Sequence, residues 1–194
     1  MTRNNLIAAG LMLIVTIIII YVAFSEKLGQ ISTNERTENF LANNVLSRNN
    51  GSSYDPQIIA AGQNLYAVWT DNTTGNDDIY FKRIEDNGHN FSRTYNLGRN
   101  NGTSYDPQII AAGQNLYAVW TDNSTGNGDI YFKRIEDNGH NFSRTYNLSR
   151  NNGTSYDSQI IAAGQNLYAV WTDNSTGNDD IYFKRIEDNG NELS

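Results

Sequence analysis

Hydrophobic and polar positions follow two regimes along this chain. Residues 6–24 are apolar without a charge. From residue 49 onward, short apolar or alternating runs are separated by clusters of Asn, Asp, Gly, Ser and Thr. At about 1.5 Å per helical residue the first run spans roughly 28 Å, which predicts a transmembrane helix. A cleaved signal peptide is the competing prediction, because Arg3 supplies a positive start and Ala23-Phe24-Ser25 is a poor small-x-small cleavage site. Either one exports the rest of the chain. The expected organisation is an anchor or signal segment over residues 1–25, a linker over 26–39 and a β domain over 40–194.

The second regime is a repeat. Residues 49–99 and 100–150 differ only at Ser52/Thr103, Thr73/Ser124, Asp77/Gly128 and Gly98/Ser149, and a third copy occupies residues 151–194. A period of 51 residues holding several short strands is a propeller-blade length. In each unit the predicted strands run over 57–61, 65–70 and 79–84, with a weaker fourth over 91–97. Both alternating faces of the second strand are apolar or aromatic, so it needs layers on both sides, as stacked blades provide. The fold class expected is all-β, a propeller-type repeat of three four-stranded blades preceded by one transmembrane helix. Trp69, Trp120 and Trp171 are expected in the seams between blades.

Extending the period backward places Leu46 over Leu97 and makes residues 40–47 an offset outer strand without a blade of its own. The third unit reaches Ser194 just after its own turn, so the two ends complement each other. Three blades are fewer than the four to eight that usually close a ring. Two arrangements stand as alternatives: a homodimer closing one six-bladed ring, or an open three-blade array.

The turn after the third strand, Asp86-Asn87-Gly88-His89-Asn90-Phe91, recurs as residues 137–142 and opens again at Asp188. It resembles the Asp-box of sialidase-like propellers (the BNR repeat), S-x-D-x-G-x-x-[FW], with Ile84, Ile135 and Ile186 at the leading Ser position. The residues that carry the resemblance are Asp86, Gly88, Phe91, Asp137, Gly139, Phe142, Asp188 and Gly190. In that family the box is a structural turn, so it implies the fold and carries no catalytic role. The resemblance also implies an active face built by the loops leading into the first strand and joining the second to the third. Carried onto this chain, that face holds Arg48, Arg99, Arg150, Tyr54, Tyr105, Tyr156, Asp55, Asp106 and Asp157. Arginine can grip a carboxylate and tyrosine can stack on a sugar, so a glycan or anionic ligand suits these residues. Loop solvation and turn chemistry account for the same residues.

Charge and composition narrow the function. A net charge of −7 with no clustered basic face argues against nucleic acid, and the absence of cysteine leaves an exported domain without disulfides. Nine N-x-[ST] sequons, at Asn50, Asn72, Asn90, Asn101, Asn123, Asn141, Asn147, Asn152 and Asn174, make glycosylation an expectation. The loop over residues 71–78 offers hard oxygen donors for calcium, but it lacks D-x-D-x-D-G spacing and Gly128 removes one carboxylate from its second copy. Near-identical units suit multivalent binding better than catalysis, which needs an acid and a nucleophile in different surroundings. The function expected from sequence is therefore a non-catalytic, membrane-anchored extracellular binding or structural protein, with no catalytic residues. The alternative is a sialidase-like exo-glycosidase relative acting on acidic sugars.

Overall fold

A computed structural model describes residues 19–27 and 43–188, apart from the side chains of Asn87 and Asp137. Residues 19–27 are helical, so the helix runs into the first two residues of the predicted linker; residues 6–18 of the predicted span, 28–39 of the linker, 40–42 of the offset strand and Gly190 of the third turn lie outside the described residues. No described helix is long and apolar enough to cross a membrane.

The repeat domain is all-β. Its first sheet comprises β1 (Ser53–Ala61), β2 (Asn64–Asp71), β3 (Asp78–Glu85), β4 (Asn90–Phe91) and β5 (Tyr95–Asn96). The second has β6 (Ser104–Ala112), β7 (Asn115–Asp122), β8 (Asp129–Glu136), β9 (Asn141–Phe142) and β10 (Tyr146–Asn147). The third has β11 (Ser155–Ala163), β12 (Asn166–Asp173) and β13 (Asp180–Glu187). Every pairing is antiparallel, and each sheet is a meander of the kind that forms a propeller blade.

The pleat explains why the second strand is apolar on both faces. Val68 opposite Phe81 and Thr70 opposite Ile79 look toward the following blade, whereas Ala67, Trp69 and Leu65 look toward the preceding one. Tyr66, Val68, Ile79, Phe81 and Leu97 pack on Ile109, Leu116, Ala118, Trp120 and Ile135 of the second blade. The same residues one period on form the seam between the second and third blades, with Trp171 inside it. Trp69 is covered instead by Leu46, Ala67, Ile84 and Tyr80.

Polar contacts repeat across the seams. Lys82, Lys133 and Lys184 donate to the carbonyls of Leu46, Leu97 and Leu148, each on the segment just before its own blade. The neighbouring Arg83 and Arg134 point the other way, to the Asn138 carbonyl and to Asp188 of the following blade. A Lys-Arg pair in a strand thus ties one blade to both neighbours, because adjacent side chains leave on opposite faces.

Three expectations need correction. The fourth strand is not continuous: β4 and β5 pair separately with β3. Ser92 Oγ accepts the Arg83 N–H at 2.9 Å, so a side chain replaces a ladder bond and the strand breaks there; Ser143 does the same to Arg134. Residues 43–47 of the offset strand form no strand among the described residues, although Leu46 occupies the seam position its alignment with Leu97 implies. The first strand begins at Ser53 and not at Gln57, which moves Tyr54, Asp55 and Pro56 out of the preceding loop.

Candidate carboxylate site on the inner strands

Each first strand carries a bulge. In β1 the register passes from Tyr54 opposite Thr70 to Gln57 opposite Val68, so Asp55 and Pro56 together face Trp69. The same shift recurs in β6 and β11. The extra residue adopts a left-handed backbone, with φ of 48° at Asp55, 52° at Asp106 and 53° at Asp157. Aspartate tolerates that region better than most residues, and proline after it has no N–H to leave unpaired. The bulges turn all three aspartates into one cavity of about 270 Å³, lined also by Gln57, Gln108, Gln159, Pro107 and Ser158. That volume lies just under the range of about 300–1,000 Å³ for pockets holding drug-sized ligands, so it suits a small polar ligand.

Position breaks the equivalence that the repeated sequence suggests. Asp106 stands between the other two. Burial, the negative charges of Asp55 and Asp157, and a hydrogen bond with Asp55 all raise its pKa above the ordinary carboxyl value. The tyrosines do not line this cavity; burial and then Asp77 raise the Tyr54 pKa, and burial with the charges of Asp106, Asp157 and Asp122 raises that of Tyr105. The hydrogen bond to Asp179 raises Tyr156. Gly128 removes the matching carboxylate beside Tyr105.

Ser158 replaces the proline of the first two copies. It is only 2% exposed, and its Oγ has no hydrogen-bond partner among the described residues. A buried hydroxyl without a partner costs about 1–3 kcal/mol, and here it lines the cavity that the aspartates share.

The arginines do not join the aspartates. Arg99 lines a separate groove with Arg93, Lys133, His140 and Tyr95, while Arg150 is exposed and donates to the Asn147 carbonyl. Burial, and then the charge of Arg48, lowers the Lys82 pKa, which puts Arg48 at the outer segment beside Leu46 and away from the inner cavity. The loop proposed for calcium uses its carboxylates internally. Asp71 accepts from Asn49, Ser53, Trp69 and both donors of Thr73, and Asp78 accepts from Thr74 and Asn96. Among the described residues no group of three or more His, Asp or Glu is arranged to hold a metal ion. The turns after the third strands serve the seams: Asp86 accepts from Asn90, and Phe142 packs edge-on against Phe81 at 5.9 Å. All nine sequon asparagines are exposed except Asn147, which is half-buried and accepts the Arg150 N–H.

Larger cavities of about 500 and 490 Å³ lie at the hairpin turns around Gly62 and Gly113. A third, smaller cavity sits at the corresponding turns of the second seam, so the first and third arise from blades diverging at their hairpin ends, while the second lies on the first blade alone.

Sequence reasoning named the aspartates and tyrosines but missed Gln57, Gln108, Gln159 and Ser158. Their signal was the fixed Asp-x-Gln spacing in every copy together with the single Pro-to-Ser change.

No protein-family model matches this chain, and no curated protein matches it in sequence. Solved structures match it in fold. A mutant of Trypanosoma rangeli sialidase displaying trans-sialidase activity superposes with a TM-score of 0.53 at 17% identity, covering 74% of this chain and 30% of its own. A GH62 α-L-arabinofuranosidase catalytic domain from Coprinopsis cinerea gives 0.48 at 15% identity, over 74% and 48%. A Bombyx mori GH32 β-fructofuranosidase mutant in complex with sucrose gives 0.49 at 13%, over 78% and 38%. This chain spans less than half the length of each, and the likeness to the sialidase is one of fold.

Proposed function

We propose that the domain acts on carbohydrate at the inner-strand cavity, with Asp106 as the carboxyl that holds and delivers a proton. The observation that carries this is the convergence of three bulge aspartates in one cavity, where within one copy Asp106 has a carboxylate on either side. Glycoside hydrolysis needs one carboxylic acid to protonate the leaving oxygen and a second carboxylate about 5–9.5 Å away as nucleophile or base. Asp55 and Asp157, the charges on either side of Asp106, are the candidates for the second carboxylate. Whichever of the two is not the second carboxylate raises the acid by its charge.

The sialidase that shares the fold supports a glycan substrate. The objection from identical copies weakens, since neighbours differ within one copy and the changes at Gly128 and Ser158 set the second and third units apart. The turns at residues 86–91 and 137–142 serve as Asp-box turns, in keeping with that family. Residues 6–24 hold the domain at a membrane with the repeats outside, where glycans are met.

The test is a panel of fluorogenic aryl glycosides, including a sialoside and an arabinofuranoside, applied to the full chain and to Asp106→Asn. Turnover that falls at least about 100-fold in the variant supports the proposal. Turnover unchanged in the variant, or no turnover with any glycoside, contradicts it.

A further inference from the structure

Every blade has two unlike faces, and the two that no described residue covers are the two halves of a seam that forms twice among the described residues. On the first blade Ile58 is 62% exposed, whereas Ile109, its equivalent one period on, is 8% exposed in the first seam. On the third blade Ile181 and Phe183 are 75% and 63% exposed, whereas Ile130 and Phe132 are fully buried in the second seam. Burial along one strand sequence tells the same story: NLYAVWTD is buried almost throughout in β7 but alternates in β12, whose outward side chains meet no further blade. Contiguous apolar surface of this kind marks an interface.

We propose that a second copy of this chain covers both faces, the third blade of each copy docking on the first blade of the other. Two copies then close one ring of six blades, within the four to eight that close. A second copy is favoured because the seam chemistry is specified residue by residue. Phe81 packs on Phe142; two periods and one period away respectively, Phe183 meets the partner's Phe91. Arg134 pairs with Asp188, so Arg185 reaches the partner's Asp86. Leu97 N–H donates to the Ile79 carbonyl at 2.7 Å, so the partner's Leu46 donates to Ile181. Half of this closing contact is already in place, since Lys82 holds the Leu46 carbonyl as Lys133 holds that of Leu97. Closure by two identical head-to-tail contacts makes a two-fold dimer and leaves no free end for a filament. It also brings the first strands of both copies around one axis, where Asp55 and Asp157 each gain from the partner the second neighbouring carboxylate that Asp106 has within one copy.

The full chain in detergent is tested by light-scattering mass with the micelle contribution subtracted, at micromolar concentrations. Wild type is expected at two chains per particle, and Ile181→Asp at one, with an unchanged β-sheet circular dichroism spectrum. Ile181 is exposed within one chain, so the substitution spares the fold of a single copy. Should that variant lose its spectrum, the charge exchange Arg185→Glu with Asp86→Arg decides: each single change is expected to weaken the dimer and the pair to restore it. A wild-type mass of one chain, an open ladder of masses, or a dimer that survives both sets of changes would overturn the proposal.

Discussion

Arg134 on the second blade forms an ion pair with Asp188 on the third, and Tyr117 beside it donates to the same carboxylate at 2.6 Å. Both ionic side chains are almost fully buried, and burial followed by the bond to Asp188 pushes the Tyr117 pKa up to about 12. The corresponding Arg83 meets the Asn138 carbonyl and His140 across the first seam. Removing one partner of a buried pair leaves the other charge uncompensated. Arg134→Ala is therefore expected to cost about 3 kcal/mol, measured by urea unfolding midpoints. A loss below about 1 kcal/mol would show that the ion pair adds nothing to the second seam.

The loop carboxylates make the fold acid-sensitive. Burial raises Asp71 and Asp173, but hydrogen bonds from Ser53, Thr73 and Asn49 to Asp71, and from Ser155, Ser175 and Asn151 to Asp173, outweigh it and leave both below the ordinary value. A depressed folded pKa stabilises the protein above the unfolded value, near about 4, and that stabilisation is lost as pH falls through the folded value. Thermal scans are expected to show melting temperature dropping below about pH 4, and less steeply in Asp71→Asn.

Asp106 works in the opposite sense. Its raised pKa means the folded chain binds the proton more tightly than the unfolded one, so this group opposes folding above its folded pKa and ceases to as pH falls. Asp106→Asn is expected to raise stability at pH 7 by up to about 1 kcal/mol, the usual trade between a functional site and stability. A loss of stability in calorimetry would argue that the carboxylates are not crowded together.

Ser158 can be returned to the residue of its sister copies. Pro56 and Pro107 occupy the same bulge position, so Ser158→Pro is expected to stabilise by about 0.5–1 kcal/mol while weakening sugar binding. Stabilisation without any change in the sugar titration would separate Ser158 from the site.

Much of this architecture was legible in the chain. The 51-residue period, the apolar faces of Leu65 to Thr70 and the opposed Lys82 and Arg83 come directly from repeat length and pleat. The break at Ser92 did not, because a side chain standing in for a ladder bond depends on which strand lies opposite. The aspartate site was half legible. Asp55, Asp106 and Asp157 were singled out, but their convergence arises from a register shift and a left-handed backbone that no local pattern announces. The arginines were grouped with them by family resemblance, yet Arg99 comes after β5 on the outer side and lies with Lys133. The copies looked chemically equal since sequence does not record which blade has two neighbours.

The most direct test of the central claim, that the three inner-strand aspartates form one coupled group poised around Asp106, is carbon-13 NMR titration of the aspartate carboxyls in the full chain. Asp106 is expected to titrate above the ordinary carboxyl range, to fall toward it in Asp55→Asn and in Asp157→Asn, and to shift when a sugar ligand is added. An ordinary Asp106 titration, unmoved by either substitution, would contradict the account.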